Sequence, residues 1–135
     1  MSNYVTARDE LVTHLHPLLK AAFPDIPVFY ENTVQVDLDK VGDMFITIAV
    51  GFDDSSALGV DSVPMSMTLG EVVFRVFVKS GVGTRRTLQI MDGITSIMKY
   101  KNLASVRIEC PYPGRKISKD GWTSLDLNAP FYFIQ

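Results

Sequence analysis

The stretch KSGVGTRR, from Lys79 to Arg86, is the first place where residue types and spacing could do chemistry. It joins a predicted strand to a predicted helix, and glycines with basic residues at such a junction can cradle a phosphate. A dinucleotide loop follows the pattern Gly-x-Gly-x-x-Gly, and here Arg86 replaces the third glycine. A phosphate loop with Lys and Ser or Thr directly after its second glycine is also absent. We therefore interpret the stretch as a tight turn in which Gly81 and Gly83 adopt dihedrals that other residues avoid.

The residues after these glycines predict a helix start that faces a partner. Thr84 is placed to cap the helix through its hydroxyl. Arg85 and Arg86 then fall in the first turn, where each cation opposes the helix dipole by roughly 0.3–1 kcal/mol. An acidic neighbouring surface would explain the two arginines better than a bound ligand does.

The segment DLDKVGD, residues 37–43, begins like a calcium loop but lacks the rest of one. Counted from Asp37, Val41 stands at position five of the loop, which should supply a ligand, and Ile48 stands at position twelve, where the bidentate glutamate is required. His14 and His16 are two apart on a predicted helix, so they point to opposite sides and cannot chelate one ion. We expect a polar turn at 37–43, and a solvated or capping role for both histidines around Pro17.

No arrangement of nucleophile and base predicts catalysis. Cys110 is the only cysteine, and strand alternation places it inward as a buried structural residue. Both histidines lie far from it in the sequence, and Asp53 and Asp54 fall in a predicted loop that would hold them poorly. We expect a protein that is not an enzyme, with no catalytic residue, no cofactor and no metal.

Composition limits the class of protein further. The chain has 135 residues, 47% hydrophobic and 21% charged, and a net charge of −2, which is typical of one globular domain. The charge gives no general attraction to nucleic acid. The N-terminus is polar, and the longest apolar run, residues 44–52, is far shorter than the ~20 residues that cross a bilayer. We expect a soluble, cytoplasmic protein without a membrane partner.

Hydrophobic periodicity predicts the elements that must position these residues. Helices are expected at 4–23, where Pro17 should kink or divide the helix, and at 84–99, with Leu88, Met91, Ile94 or Thr95, and Met98 on its apolar stripe. Strands are expected at 28–31, 33–38 (weaker), 44–50, 71–79, 104–110 and 122–135, the last broken by Pro130. Residues 51–70 are expected to form a long mobile loop, and 111–121 a hairpin arm. This order predicts an α+β fold, a single mostly antiparallel sheet with two helices packed on one face.

The best strand carries apolar residues on both of its faces. Val72, Phe74, Val76 and Val78 face the predicted core, whereas Val73, Arg75 and Phe77 alternate with them on the other side. Apolar and aromatic residues mixed with arginine are typical of protein interfaces. The hairpin arm adds Tyr112, Arg115 and Lys116. A further layer of the same chain that covers Val73 and Phe77 is the alternative.

At the level of the whole chain, the order of elements resembles a known family. The features are an N-terminal helix, a strand, a long loop, the glycine-bounded strand from Gly70 to Gly83, a helix, a strand, and the turn KDGW at Lys119–Trp122 before the last strand. This pattern resembles the lambda-type tail terminators, or minor tail proteins, of long-tailed bacteriophages and prophages, and the resemblance covers most of the chain.

The resemblance implies a structural phage protein assembled in the bacterial cytoplasm. It would form a homohexameric ring on the head-proximal end of the tail, contacting the major tail tube protein and the head–tail connector protein, with DNA only passing through its lumen. Val73, Arg75 and Phe77 would bind the neighbouring subunit. The 51–70 loop and the arm with Tyr112, Arg115 and Lys116 would contact tube or connector, and Arg85 and Arg86 an acidic neighbour or the lumen. Another head–tail joining protein of similar fold, and a small-molecule or phosphate-binding enzyme domain, are the alternatives.

Overall fold

The computed structural model describes residues 3–31, 37, 40–58 and 65–134. Two helices, α1 (Tyr4–Ala22) and α2 (Arg85–Met98), accompany six strands. The strands are β1 (Val28–Tyr30), β2 (Met44–Leu58), β3 (Met65–Lys79), β4 (Val106–Ile108), β5 (Tyr112–Lys119) and β6 (Trp122–Ile134). The predicted α+β class is confirmed. The weaker strand predicted at 33–38 falls almost wholly outside the described residues.

One sheet holds all six strands. Its order is β1-β2-β3-β6-β4, and β5 pairs with the first part of β6, ahead of the part that pairs with β4. Four of the pairs are antiparallel and only β1–β2 is parallel. The expectation of a mostly antiparallel sheet is therefore confirmed, with one parallel pair that the sequence pattern did not reveal.

The largest difference from prediction lies in residues 51–70. The expected long loop is wrong for most of this stretch, because β2 and β3 continue as paired strands to Leu58 and Met65. A register shift between Phe52 and Ser55 marks a bulge, and beyond it the Ser55 and Thr68 hydroxyls are hydrogen-bonded at 2.7 Å. Residues 59–64 lie outside the described residues. The polar run Asp53–Ser56 hides this pairing on the β2 side, because it lacks apolar alternation.

Pro130 does not break the last strand, contrary to prediction. β6 runs unbroken from Trp122 to Ile134. The Pro130 carbonyl accepts a hydrogen bond from the Glu109 N–H at 2.8 Å. Pro130 lies between the residues of β6 that pair with β4 and those that pair with β5. The proline nitrogen faces the same side as its carbonyl, since N and C=O of one residue point together in antiparallel pairing. Its missing donor therefore costs no ladder hydrogen bond.

The α1 helix is continuous through Pro17, so the expectation that it is divided there is wrong. Pro17 and Thr13 are both exposed, and water can satisfy the Thr13 carbonyl that loses its intrahelical donor. Asn3 caps the helix by accepting a hydrogen bond from the Thr6 N–H at 2.8 Å. Ala7, Leu11, Leu15 and Leu19 form the buried stripe.

The two histidines are half-buried and contact other elements, which corrects their predicted solvated or capping role around Pro17. His14 Nε2 lies 2.9 Å from the Ile97 carbonyl oxygen of α2. His16 Nδ1 lies 2.7 Å from the Tyr30 hydroxyl of β1. Each histidine therefore ties α1 to a different element.

In α2 the buried residues are Thr87, Ile90, Met91, Ile94 and Met98. Leu88, predicted on the apolar stripe, is instead 53% exposed. Thr84 occupies the N-cap position, but its side chain makes no capping hydrogen bond, contrary to prediction. Its backbone is αR rather than extended, so the hydroxyl is not held in the usual capping geometry. Gly81 and Gly83 have the positive φ values predicted for them, 95° and 96°.

The segment 104–121 differs from prediction at both ends. The strand predicted at 104–110 is reduced to β4, and Cys110 is exposed rather than buried, because the chain has left the sheet before reaching it. The predicted arm at 111–121 is itself a strand, β5, which turns at Asp120 and Gly121 into β6. A second register shift separates Pro113 from Lys116.

Both helices and one row of strand residues contribute to the same core cluster. The predicted inward row of β3 (Val72, Phe74, Val76 and Val78) is buried there with Leu11, Leu15, Ile90 and Ile94. α1 and α2 contact each other. The arrangement of both helices on one face of the sheet stays a prediction. No helix within the described ranges is long and apolar enough to cross a bilayer.

Candidate functional site

The outer face of the sheet is the side of β3 that carries Val73, Arg75 and Phe77, the residues that alternate with the core row. Antiparallel partners share a face, so the register extends this surface across neighbouring strands. Val73 lies opposite Ala49 and Asn128, and Asn128 lies opposite Tyr112. Four predicted interface residues, Val73, Arg75, Phe77 and Tyr112, therefore share one surface.

An aromatic cluster occupies one end of the outer face. The rings of Phe45 and Phe77 are stacked, with centroids 4.5 Å apart and planes 8° apart. Trp122 and Phe29 meet Phe45 edge-on at 5.2 and 6.1 Å. Phe45 is only 3% exposed, and Phe77 is half-buried. Much of the apolar area that Phe77 would offer to a partner is thus used within this chain.

Arg75 occupies the centre of the outer face and is held by a second residue there. Its Nε donates to Asp126 Oδ1 at 2.8 Å, and its Nη2 donates to Asp126 Oδ2 at 3.2 Å. This two-point contact fixes the guanidinium plane. The hydrogen bond with Asp126 raises the pKa of Arg75 above its ordinary value, while burial opposes the rise. The Asp126 side chain is 7% exposed and that of Arg75 is 44% exposed, so the pair presents a fixed cation outward.

Tyr112 lies at the β5 end of the outer face. Its hydroxyl donates a short hydrogen bond to the Glu71 carboxylate, and that bond raises the pKa of Tyr112. The ring itself is 43% exposed. Arg115 and Lys116 are exposed as predicted, but they lie at the register shift in β5. Lys116 is opposite Leu125, which in turn is opposite core residue Val76, so Lys116 belongs to the other face of the sheet.

On that other face, Lys116 lines a cleft of about 470 Å³. We define the cleft by its three walls: the glycine turn, the first turn of α2, and the β5–β6 hairpin. Gly81 and Gly83 represent the first wall, Thr84, Thr87 and Leu88 the second, and Lys116, Ser118 and Leu125 the third. The opening sequence motif therefore borders a real concavity, although it matches neither phosphate-loop pattern.

The two arginines at the start of α2 differ in their surroundings. The Arg86 guanidinium carbon lies 5.6 Å from the centroid of the Phe23 ring, a cation–π geometry that gives this residue a role within the chain. For Arg85 no contact within the described residues accounts for its position, and it is exposed. The prediction of an acidic neighbour therefore concerns Arg85 more directly than Arg86.

Some residues that build these surfaces were missed by sequence reasoning. Asp126, Phe45 and Trp122 complete the outer face, and Thr87 lies in the cleft. Strand alternation could have placed Trp122, Ser124 and Asp126 on one side of β6. Only the pairing register, however, brings Asp126 opposite Arg75.

Within the ranges that the structure describes, no group of three or more His, Cys, Asp and Glu residues could hold a metal. In the calcium-like segment, Lys40 Nζ lies 3.9 Å from Asp37 Oδ2, and the Lys40 N–H bonds the Asp37 carbonyl at 3.0 Å. These contacts fit the predicted polar turn. Asp39 lies outside the described residues.

Comparison with known proteins gives fold similarity only. No protein-family model matches the chain, and no curated protein does. A solved structure whose name states no function superposes with a TM-score of 0.66 and 16% identity, covering 95% of this chain and 92% of the other. A chain from the virion of a native gene transfer agent particle superposes with a TM-score of 0.59 and 12% identity, covering 98% of this chain and all of the other. The chain therefore shares its fold, from end to end, with a component of a virion.

Proposed function

We propose that this protein is a non-enzymatic structural component of a phage or phage-like virion. The carrying observation is the end-to-end match with a chain of the gene transfer agent virion, because it leaves no part of either chain for a different domain. The order of elements in the sequence independently resembles that of tail terminators. The outer face supplies the sort of surface that a subunit contact needs, with a fixed arginine, half-buried apolar residues and a rigid strand scaffold.

Within that class, we propose the role of a tail terminator. The protein would form a ring, a homohexamer, on the head-proximal end of the tail tube, stop tube polymerisation and provide the surface for head joining. The outer face with Val73, Arg75 and Phe77 would meet the neighbouring subunit. The β2–β3 hairpin and β5 would reach the tube protein or the connector protein. DNA would pass through the lumen only, and assembly would take place in the host cytoplasm.

Complementation of a terminator-defective phage tests this role. Purified protein is added to the lysate of a mutant of the phage that encodes this chain, and tail lengths are measured by electron microscopy. We expect tails of normal, uniform length and a rise in infectious particles. Tails that remain overlong at all protein concentrations would rule out termination.

The same experiment separates a second role in head–tail joining. A joining protein that acts after termination would leave tail length normal in its own absence, and its addition would only join finished tails to heads. This alternative has the same fold support, because the virion match does not distinguish positions within the particle. Tails of normal length in the gene-deleted phage would therefore favour it.

A further inference from the structure

The cleft beside α2 combines an open helix N-terminus with a buried hydroxyl. No side chain caps α2, and its first turn contains no acidic residue. The first intrahelical hydrogen bond runs from the Leu88 N–H to the Thr84 carbonyl at 3.0 Å. The N–H groups of the three residues before Leu88 therefore lack intrahelical partners, as at every helix start. A negatively charged group is the natural partner of such an end.

Thr87 supplies the independent observation. It lines the cleft and is only 8% exposed. Among the described residues, nothing forms a hydrogen bond with its hydroxyl. A buried hydroxyl without a partner costs free energy, and native proteins usually satisfy such groups. An acceptor that enters the cleft would meet the Thr87 hydroxyl and the free N–H groups of the same turn.

The charge and polarity of the cleft walls indicate which class of ligand would bring a hydrogen-bond acceptor into the cleft. Among the described residues that line the cleft there is no acid, and Lys116 is a cation on this side of the sheet. Lys79 also lines the cleft, but its ammonium lies 5.9 Å from the centroid of the Trp122 ring on the outer face. Arg85, at the start of α2, is exposed and directly follows the lining residue Thr84 in the sequence. Val78, Leu88 and Leu125 form the apolar part of the lining, beside the hydroxyl residues Ser80, Thr84, Ser118 and Thr123. A free phosphate or a nucleic-acid backbone would leave these apolar walls unfilled, whereas a peptide can fill them with a neighbouring side chain.

We propose that the cleft binds an acidic segment of a partner protein. A carboxylate of that segment accepts hydrogen bonds from the first turn of α2 and from the Thr87 hydroxyl, with Lys116 and Arg85 close by. An apolar side chain next to the carboxylate occupies the space between Leu88 and Leu125. The assignment of the partner to the same virion rests on the proposed function. The inference that the cleft binds an acidic segment does not depend on it.

The test uses two matched peptides, acetyl-Leu-Asp-Leu-Asp-Leu-amide and its Asn counterpart, with inorganic phosphate as a third probe. Binding to the full chain is followed by the amide signals of Arg85, Arg86, Thr87 and Leu88 in nitrogen-15 NMR. We expect the acidic peptide to shift these signals and to bind at least about tenfold more tightly than the Asn peptide, since bonds to a charged acceptor are the stronger ones. Equal affinity for the two peptides, or no shift at these residues, would overturn the proposal.

Variants locate the binding. Lys116→Gln is expected to weaken the acidic peptide about threefold or more, and Lys101→Gln, an exposed lysine outside the cleft lining, to leave it unchanged. Thr87→Val removes the hydroxyl at similar volume, so it should weaken binding while the fold is kept or becomes more stable. Phosphate binding as tight as that of the peptide would show an anion site without a peptide partner, and would also overturn the proposal. Peptide binding by a protein that fails to limit tail length would contradict only the proposed function.

Discussion

At the Arg75–Asp126 pair the two partners differ sharply in exposure, and this decides which substitution costs more. Water can solvate the guanidinium if Asp126 is removed, but it reaches the Asp126 carboxylate poorly if Arg75 is removed. The pair therefore acts mainly to satisfy a buried carboxylate on the outer face. Its value to the fold is the avoidance of an unpaired buried charge, not the attraction of two surface charges.

We predict that Arg75→Ala lowers the free energy of unfolding by about 1–3 kcal/mol, because it leaves the Asp126 carboxylate without its donors. Urea denaturation followed by circular dichroism measures the change. Arg115→Ala is the matched control, since Arg115 is exposed on β5, and it should change stability by less than about 0.5 kcal/mol. Equal effects of the two substitutions would mean that the pair does not hold the outer face.

The Tyr30 hydroxyl makes a pH-dependent contribution to stability. Burial raises the pKa of Tyr30 from its ordinary value of 10.0, and the Arg8 cation opposes this only in part. The folded protein thus keeps the phenolic proton to a higher pH than the unfolded chain does. The stability that this site contributes is fully present below pH 10 and is lost as the pH rises through the raised pKa of Tyr30.

We predict that the Tyr30→Phe variant loses less stability than the native chain between about pH 9 and pH 11, because it has no proton to release from this site. The free energy of unfolding in urea is measured across this range. Tyr100→Phe, at a side chain 65% exposed, serves as the control and should follow the native chain. Parallel curves for the native chain and the Tyr30 variant would contradict the prediction.

At the scale of elements, Gly70 is where β3 passes between two neighbours with no room for a side chain. A Cβ atom there would lie 2.4 Å from the Gly51 carbonyl oxygen of β2 and 2.5 Å from Phe131 Cζ of β6. The backbone oxygen cannot move without disturbing the β2–β3 ladder. Gly70 therefore allows the strands to stay paired on both sides of β3 near the bulge.

We predict that Gly70→Ala destabilises the protein by about 1–3 kcal/mol through this overpacking. Thermal and urea unfolding measure the loss. Gly51→Ala is a closely matched control on the facing strand, because its Cβ would meet only the Glu71 carbonyl at an ordinary 3.9 Å. A similar loss in both variants would point to strand conformation rather than the close approach.

Sequence patterns predicted the elements whose two faces differ in polarity. In β3 the apolar alternation from Val72 to Val78 predicted the strand, its end at Lys79 and its core face, but not its start at Met65. At 51–58 the prediction failed because the polar run Asp53–Ser56 carries no such alternation. At 65–70 the alternation of Met65, Met67 and Leu69 with Ser66, Thr68 and Gly70 was present but was missed. Leu88 was placed on the wrong side of α2. The spacing of the predicted apolar residues did not determine how the helix is rotated about its axis, and the buried side consists of Thr87, Ile90, Met91, Ile94 and Met98.

The candidate surfaces were only half predictable for a related reason. Alternation placed Val73 and Arg75 on the side of β3 away from the core, and Tyr112 was predicted on a hairpin arm, but pairing register decides which residues meet. The shift between Pro113 and Lys116 moves Lys116 to the face opposite Tyr112, although both lie on β5. Asp126 gained its role from its contact with Arg75, 51 residues away, which residue spacing does not encode. Thr87 gained its role from a cleft whose β5–β6 wall is distant in the sequence.

At the scale of the whole molecule, the sheet separates two surfaces of different character. The outer face carries the fixed Arg75 cation and the half-buried Val73 and Phe77, while the cleft beside α2 lies on the side of Lys116 and Leu125. A subunit in a ring needs contacts on opposite sides to reach both its neighbours and the components above or below it. Two surfaces divided by one rigid sheet meet this geometric need.

The proposed ring gives the outer face a testable role in assembly. Val73 is half-buried and takes no part in aromatic stacking, unlike Phe77, which stacks on Phe45. It can therefore be changed with little cost to the fold. We predict that Val73→Gln keeps its melting temperature within a few degrees of the native value, as surface substitutions generally do. In the tail-length assay it should require about tenfold more protein, or fail, because a polar side chain is left unpaired in the subunit contact.

Leu18→Gln, at a leucine 44% exposed on α1, should act as the native chain does. Full activity of the Val73 variant with loss in the Leu18 variant would move the subunit contact from the sheet to the helix.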